Sequence, residues 1–171
     1  MSYPSVTWRQ TSTFIGGQPI ANTATAAAHN LGQRIKAADS AYGEVEFIYL
    51  PGVASCAAGD VVVFDEKAGT TARALQGMRG HVAVAMAATT AGLYGWFAVD
   101  GMVPVATAAG SISCGAAYLS TTAGSIDSVE YEGEKVDGLS IKAQPSGGFV
   151  TCRLSSPSAN GNDSNAREEK G

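Results

Sequence analysis

The sequence predicts a mainly β fold: a single antiparallel β-barrel or sandwich with an extended N-terminal arm and a flexible C-terminal tail. From about Leu31 onward, apolar and polar residues alternate with a period of two, which is the period of a half-buried strand. Many short apolar segments follow one another, separated at fairly regular intervals by turns that carry Gly, Pro, Asp or Ser. This spacing is typical of sandwiches and barrels, and 171 residues suit one such domain.

Composition divides the chain into an arm at residues 1–28, a β domain at residues 29–154 and a tail at residues 155–171. The arm is polar and small-sided, and the tail, SSPSANGNDSNAREEKG, is poor in aliphatic residues. Neither segment carries enough apolar surface to order itself alone. Because the strand pattern begins only near Leu31, the sequence indicates that the β domain folds without residues 1–28.

The clearest strand is GEVEFIYL, in which Val45, Phe47 and Tyr49 share one face. A β-branched strand, Val61 to Phe64, follows the turn at Gly59-Asp60. Further strand candidates are TARAL, HVAVAMA, LYGWFAV, MVPVAT, AAYLS, SIDSV, GLSIKA and GFVTCRL. The strongest of these strands predict a buried core of Phe47, Tyr49, Val62, Phe64, Val82, Val84, Trp96 and Val99.

Charge and hydropathy exclude several classes of function. The net charge is −4 and the 11 basic residues are dispersed, so the chain has no cluster with which to bind nucleic acid. No apolar run approaches the roughly 20 residues that span a bilayer, so no membrane association is expected. The start, MSYPSVTWRQ, lacks the features of a secretory signal. Charged residues make up only 15% of the chain, which fits a surface partly covered by partners.

No catalytic, metal or cofactor signature is found. His29 and His81 are the only histidines, and no G-x-S-x-G nucleophile elbow is present. Glu44 and Glu46 share a strand face, where a solvated strand edge is favoured over a paired-carboxylate site. The acidic stretch EYEGEKVDG lacks the calcium-loop pattern. We therefore predict no catalytic residue, no metal site and no cofactor, and hence a protein that is not an enzyme.

The three cysteines, Cys56, Cys114 and Cys152, are widely spaced and form no CxxC pair, so zinc is not expected. Each lies beside small or apolar residues. The sequence therefore predicts three buried thiols in a reducing compartment.

The stretch GLYGWFAVDGMVPVA concentrates aromatic residues. Gly95 separates Tyr94 from Trp96, so these two share one strand face, whereas Phe97 takes the other. A Tyr/Trp pair can stack a sugar or a base, and it can equally pack in a core or a subunit interface. The apolar β-rich context favours the core or the interface.

Isolated apolar residues in the arm are its candidate binding residues. Trp8, Phe14 and Ile15 stand alone among small polar neighbours. Aromatic side chains often carry most of the free energy of an interface. We expect them to anchor the arm on another surface, of this subunit or of the next.

Three stretches carry a resemblance to a known family: LGQRIKAADSAYGEVEFIYLPGVASCAAGDVVVFD, HVAVAMAATTAGLYGWFAVDG and AAYLSTTAGSIDS. They resemble capsid decoration, or cement, proteins of the heads of tailed bacteriophages, over roughly residues 31–130. The most specific phrases are GEVEFIYLPGVAS and VAVAMAATTAGLYGWF. Val45 departs from the pattern, since Gly is expected in its place. The arm and the tail lie outside the resemblance.

The resemblance implies a structural virion protein that binds the outside of an icosahedral capsid and bridges its capsomers. Its partners would be the major capsid protein and further copies of the chain, as a homotrimer. It would be made in the host bacterial cytoplasm and reside on the capsid exterior. The alternative is a virion-surface module that binds a glycan or a receptor through Tyr94 and Trp96.

Overall fold

The computed structural model describes residues 2–11, 17–108, 112–130, 135–143 and 145–160, and these form an all-β domain. All the strand pairs are antiparallel, so the predicted mainly β class is confirmed. The strands are β1 (Arg9–Gln10), β2 (Arg34–Asp39), β3 (Gly43–Pro51), β4 (Val61–Asp65), β5 (Thr70–Arg73), β6 (Arg79–Ala85), β7 (Tyr94–Ala106), β8 (Gly115–Leu119), β9 (Ile126–Asp127), β10 (Lys135–Ile141) and β11 (Phe149–Asn160).

These strands form one sheet that is not closed. Its order is β1-β2-β3-β7-β6-β11-β10-β8-β9; β4 pairs with β6 and carries β5, and β7 also pairs with β11. The segments predicted as two strands, LYGWFAV and MVPVAT, are joined in the single strand β7. No helix of the described residues is long and apolar enough to cross a bilayer.

The long strand β7 changes its pairing partner halfway along its length. Its first half pairs with β3 as far as Asp100, and its second half pairs with β11 from Asp100 to Ala106. Gly101 lies at this change with a φ of 105°, and a Cβ there would approach the Glu44 carbonyl oxygen to 2.7 Å. Only glycine fits a position that combines this dihedral with so close a backbone contact.

Strand β11 also changes its pairing partner along its length, and it extends into the segment predicted as the tail. It pairs with β7 up to Ser155 and with β6 from Ser158 to Asn160, with Ser156 in the left-handed region between them. Residues 155–160 therefore belong to the sheet, so the boundary predicted at residue 155 is wrong. Residues 161–171 lie outside the described part of the chain.

The central strands bury both faces, which produces two apolar clusters. All eight predicted core residues are buried, as expected. Phe47, Tyr49 and Trp96 belong to the larger cluster, whereas Phe64 and Val99 belong to a smaller one on the opposite face. A strand buried on both faces is a continuous apolar run rather than an alternating one, and the sequence VVVF of β4 shows this pattern.

The loop of residues 120–125, called here the seam loop, connects β8 and β9 and packs against β4 and β5. The Gly124 carbonyl accepts a hydrogen bond from Val61 N (2.7 Å), and Gly124 N donates to the Ala74 carbonyl (2.8 Å). Arg73 donates to the Ala123 carbonyl (2.7 Å) and to the buried Asp60 carboxylate (2.9 Å). The backbone bonds and the Arg73–Ala123 bond thus link β4 and β5 to the loop between β8 and β9, which lie at the far end of the sheet order.

Candidate functional site

An aromatic cluster lies on β3 and β7, where the sequence placed its candidate stacking pair. Tyr49 and Trp96 are cross-strand partners with ring centroids 4.9 Å apart, and Tyr94 stacks on Tyr49 at 6.4 Å. Tyr94 and Trp96 belong to the larger cluster and Phe97 to the smaller one, which confirms the predicted division between two faces.

Residues 17–30, called here the N-terminal segment, cover this cluster. Gln18 and Ile20 of the segment are buried, and the ring centroid of His29 lies 5.0 Å from that of Trp96. Trp96 is only 1% exposed and Tyr49 is fully buried, whereas Tyr94 is half-buried. Tyr94 and Trp96 therefore do not form an exposed stacking pair.

The Gln18 side chain joins the segment to both strands. Its Oε1 accepts a hydrogen bond from the Tyr49 hydroxyl (2.6 Å), and its Nε2 donates to the carbonyls of Asn22 (2.5 Å) and Tyr94 (3.0 Å). A buried phenol needs a hydrogen-bond partner, because leaving it unpaired costs free energy. Gln18 supplies that partner.

The Gln18 backbone bonds to two further rings. Its carbonyl accepts from Trp96 Nε1 (3.0 Å), and its N–H donates to His29 Nε2 (3.3 Å). Ala24 in the same segment exchanges backbone hydrogen bonds with Tyr94 at 2.8 and 3.0 Å. The N-terminal segment is therefore held mainly by polar bonds above an apolar cluster. Sequence reasoning missed Gln18, since a lone Gln in a polar stretch carries no pattern.

One of the three predicted binding residues of the arm lies on its own domain. Trp8 is half-buried, with its ring centroid 5.0 Å from that of Phe47, and it precedes β1, which pairs with β2. Trp8 thus contacts its own subunit, one of the two surfaces expected for it. Phe14 and Ile15 lie outside the described residues.

The predicted carboxylate face is occupied by ion pairs. Glu46 pairs with Arg34 (3.1 Å), which also reaches Glu66, and Glu44 pairs with Lys36 (3.6 Å). Such exposed ion pairs contribute little to the free energy of folding. Each of the two carboxylates thus pairs with a cation on the neighbouring strand, as expected for a strand face that is exposed to solvent.

The other polar candidates are dispersed. His81 contacts the Phe64 ring at 5.8 Å, and Asp137 pairs with Lys135 at 3.2 Å. Residues 131–134 of the acidic stretch lie outside the described part of the chain. Within the described ranges, no three His, Cys, Asp or Glu side chains are grouped in a way that could hold a metal ion.

Two of the three cysteines are buried as expected, and Cys114 is exposed, contrary to the sequence prediction. Burial raises the pKa of Cys152 to about 12. Burial, with a smaller contribution from the Asp60 carboxylate, raises the pKa of Cys56 to about 11. Both buried thiols are therefore held in the protonated, unreactive form at neutral pH.

We expect a thiol reagent at pH 8 to modify one cysteine of the folded chain rapidly and all three after unfolding. Burial raises the pKa of Cys56 from its ordinary 9.0 to about 11, which lowers its thiolate fraction by roughly 100-fold even before burial limits access. Mass spectrometry of the labelled peptides identifies the site. The Cys114→Ser variant should lose the fast phase, and a fast phase that persists in it would contradict the burial of the other two.

Comparison of the chain with protein-family models, with curated proteins and with solved structures gave no match in any of the three.

Proposed function

We propose that this protein is a capsid decoration protein of a tailed bacteriophage. It binds the outer surface of the icosahedral shell and stabilises it by bridging neighbouring capsomers. It is made in the host cytoplasm and resides on the virion. Its partners are the major capsid protein and further copies of this chain, and its role is structural rather than enzymatic.

The observation that carries the proposal is where the two most specific phrases of the resemblance lie. GEVEFIYLPGVAS includes all of β3, and VAVAMAATTAGLYGWF runs from β6 into β7. In the sheet β3 pairs with β7, and β7 pairs with β6, so the phrases are neighbours. The likeness therefore concerns the framework of the domain rather than a scattered set of surface residues.

The arm is proposed as the main contact with the shell. Trp8 is used on the chain's own domain, which leaves Phe14 and Ile15 as the apolar anchors for a partner. Many copies of a modest contact resist the outward pressure of packed DNA, because linked contacts reinforce one another.

The glycan- or receptor-binding alternative is less well supported. It requires Tyr94 and Trp96 to present their faces to solvent. Trp96 is 1% exposed and its Nε1 is bonded to the Gln18 carbonyl, so a sugar would have to displace the N-terminal segment to reach it.

The test uses capsids that lack the protein, prepared from a phage in which its gene is deleted. Added protein should co-sediment with these capsids in a fixed ratio to the capsomers, and the virions should then retain DNA to a higher temperature. Phe14→Ala with Ile15→Ala should reduce occupancy at least tenfold, because apolar anchors dominate such contacts. Failure of the unaltered protein to bind the capsids would refute the proposal.

The matched control removes exposed apolar side chains from the β domain instead, with Leu75→Ala and Val129→Ala. This variant should bind as the unaltered protein does. If the control loses binding and the arm variant keeps it, the shell contact lies on the domain, and the arm is a passive segment. Urea unfolding of both variants separates a loss of binding from a loss of stability.

Self-association is proposed as a trimer with closed cyclic symmetry, which is the usual form of a homo-oligomer. Sedimentation equilibrium should then give three times the 17.4 kDa chain mass. A chain that remains monomeric both in solution and on the capsid would contradict this part of the proposal.

A further inference from the structure

We propose that Asn160 is a site of spontaneous covalent modification: the backbone nitrogen of Gly161 attacks the Asn160 side-chain amide in the folded chain, and water converts the product to aspartate and isoaspartate. This inference does not depend on the proposed function. It concerns the covalent chemistry of the isolated chain, so its test and the test of capsid binding can fail independently.

The sequence places the two reacting groups next to each other. The chain has five asparagines, and only Asn160 is followed by glycine. The backbone nitrogen of the residue after an asparagine can reach the side-chain carbonyl carbon and close a succinimide ring. A Cβ on that residue hinders the closure, whereas glycine has none and adopts the widest range of dihedrals. Asn160-Gly161 is therefore the most reactive asparagine pair of the chain.

The fold leaves Asn160 accessible to this reaction. Asn160 is exposed and is the last residue of β11. Its pairing with Arg79 is the last of three residue pairs between β11 and β6. The end of a strand opens at little cost in free energy. The Asn160 backbone can therefore reach the dihedrals that ring closure needs while the rest of the domain stays folded.

Strand β10 supplies the neighbours of the Asn160 amide. Its Nδ2 donates a hydrogen bond to Asp137 Oδ2, and Asp137 Oδ1 pairs with Lys135 Nζ at 3.2 Å. Lys135 is thus a second nitrogen close to the same amide. An ammonium group in an ion pair has three N–H donors and no lone pair with which to attack. The Gly161 nitrogen is therefore the group that we expect to react.

The reaction needs only water as a co-reactant. The bond from the Gly161 nitrogen to Asn160 Cγ forms, and the bond from Cγ to Nδ2 breaks. The proton of the Gly161 nitrogen leaves with the side-chain nitrogen as ammonia. One water molecule then opens the ring: attack at Cγ gives aspartate, and attack at the main-chain carbonyl carbon gives isoaspartate.

Either product changes the end of β11. Aspartate places a like charge beside Asp137, where the amide had donated a hydrogen bond. Each reacted chain is one unit more negative than the formal net charge of −4. Isoaspartate also lengthens the backbone by one atom, so residue 160 cannot keep its register with Arg79.

The test follows the full chain at pH 8, folded and in urea, by mass spectrometry of its peptides. The peptide with residue 160 should gain about one mass unit as OH replaces NH2, and its backbone fragments should identify both products. Because a strand end opens at little cost, the folded chain should react at no less than about one tenth of the unfolded rate. Peptides with Asn22 and Asn30 should stay unchanged over the same period.

Two variants identify the nucleophile. Gly161→Ala keeps Asn160 and Asp137 in place and should slow the reaction by about tenfold or more. Lys135→Arg keeps the cation but removes the amine, and it should leave the rate unchanged.

Three results would overturn the inference. The first is a folded rate below one tenth of the unfolded rate, which would mean that the strand shields Asn160. The second is an unchanged rate in Gly161→Ala. The third is a loss of ammonia without uptake of water, with Lys135 joined to residue 160, which would identify the lysine amine as the nucleophile.

Discussion

Arg73→Ala is expected to lower the free energy of unfolding by about 3 kcal/mol at pH 7, because it leaves a buried carboxylate without its cation. The Asp60 side chain is 7% exposed and accepts from Arg73 at 2.9 Å. Arg73 also donates to the Ala123 carbonyl, so the change detaches the seam loop from β5 as well. Urea unfolding monitored by tryptophan fluorescence measures the difference.

The size of this effect should depend on pH. Burial raises the pKa of Asp60, although the Ala57 N–H and Arg73 both lower it, so removing Arg73 raises it further. A carboxyl with a raised folded pKa binds its proton more tightly in the folded chain, so its destabilising effect is absent at low pH and grows as the pH rises. The deficit of Arg73→Ala should therefore be smaller at pH 4 than at pH 7.

Two further variants separate charge from packing. Adding Asp60→Asn to Arg73→Ala removes the orphan charge and should restore part of the lost stability. Arg153→Ala, at an exposed position of β11, should change the free energy by less than about 0.5 kcal/mol. If Arg73→Ala is no more destabilising than Arg153→Ala, the bonds from Arg73 to Asp60 and Ala123 do not stabilise the fold.

The strand pattern predicted the central sheet because its residues have strong local preferences. The predicted strands GEVEFIYL and VVVF correspond to β3 and β4, and every predicted core residue is buried. The pattern did not reveal that both faces are covered. Alternation shows which side chains share a face, but the packing of distant strands decides what covers each face.

Sequence reasoning failed where tertiary contacts override local preference. SSPSAN lacks apolar side chains of strand type, yet β11 extends through it because β10 and β6 pair with it on either side. The sequence predicted LYGWFAV and MVPVAT as separate strands, whereas β7 runs through both, pairing first with β3 and β6 and then with β11. Such changes of partner depend on contacts between residues far apart in the chain.

The sequence predicted the aromatic part of the candidate site but not its polar part. The sequence placed Tyr94 and Trp96 on one face, and their burial followed from the apolar context. Gln18 was not predicted, since nothing in the arm marks it. The only signal was indirect: a buried Tyr49 hydroxyl and a buried Trp96 N–H each require a polar partner, which the apolar strands around them do not provide.

The contacts of the N-terminal segment argue against one sequence prediction. The pattern indicated that residues 1–28 are dispensable for folding, whereas Gln18 and Ile20 are buried against β3 and β7. Gln18→Ala should lower the free energy of unfolding by about 1–3 kcal/mol, because it leaves the buried Tyr49 O–H without its acceptor. Gln76→Ala, at an exposed position, should be nearly neutral.

Deleting residues 1–28 should destabilise the domain at least as much as Gln18→Ala does, since it removes Trp8 and Ile20 together with the Gln18 bonds. The segment stays docked only if these contacts exceed the cost of ordering it, about 1–2 kcal/mol per residue. Its removal also leaves Trp96 Nε1 without an acceptor, and it exposes the indole. Urea unfolding with a red-shifted tryptophan emission in the native baseline would report both effects. A truncated chain with the stability and emission of the full chain would mean that the segment is not docked in solution.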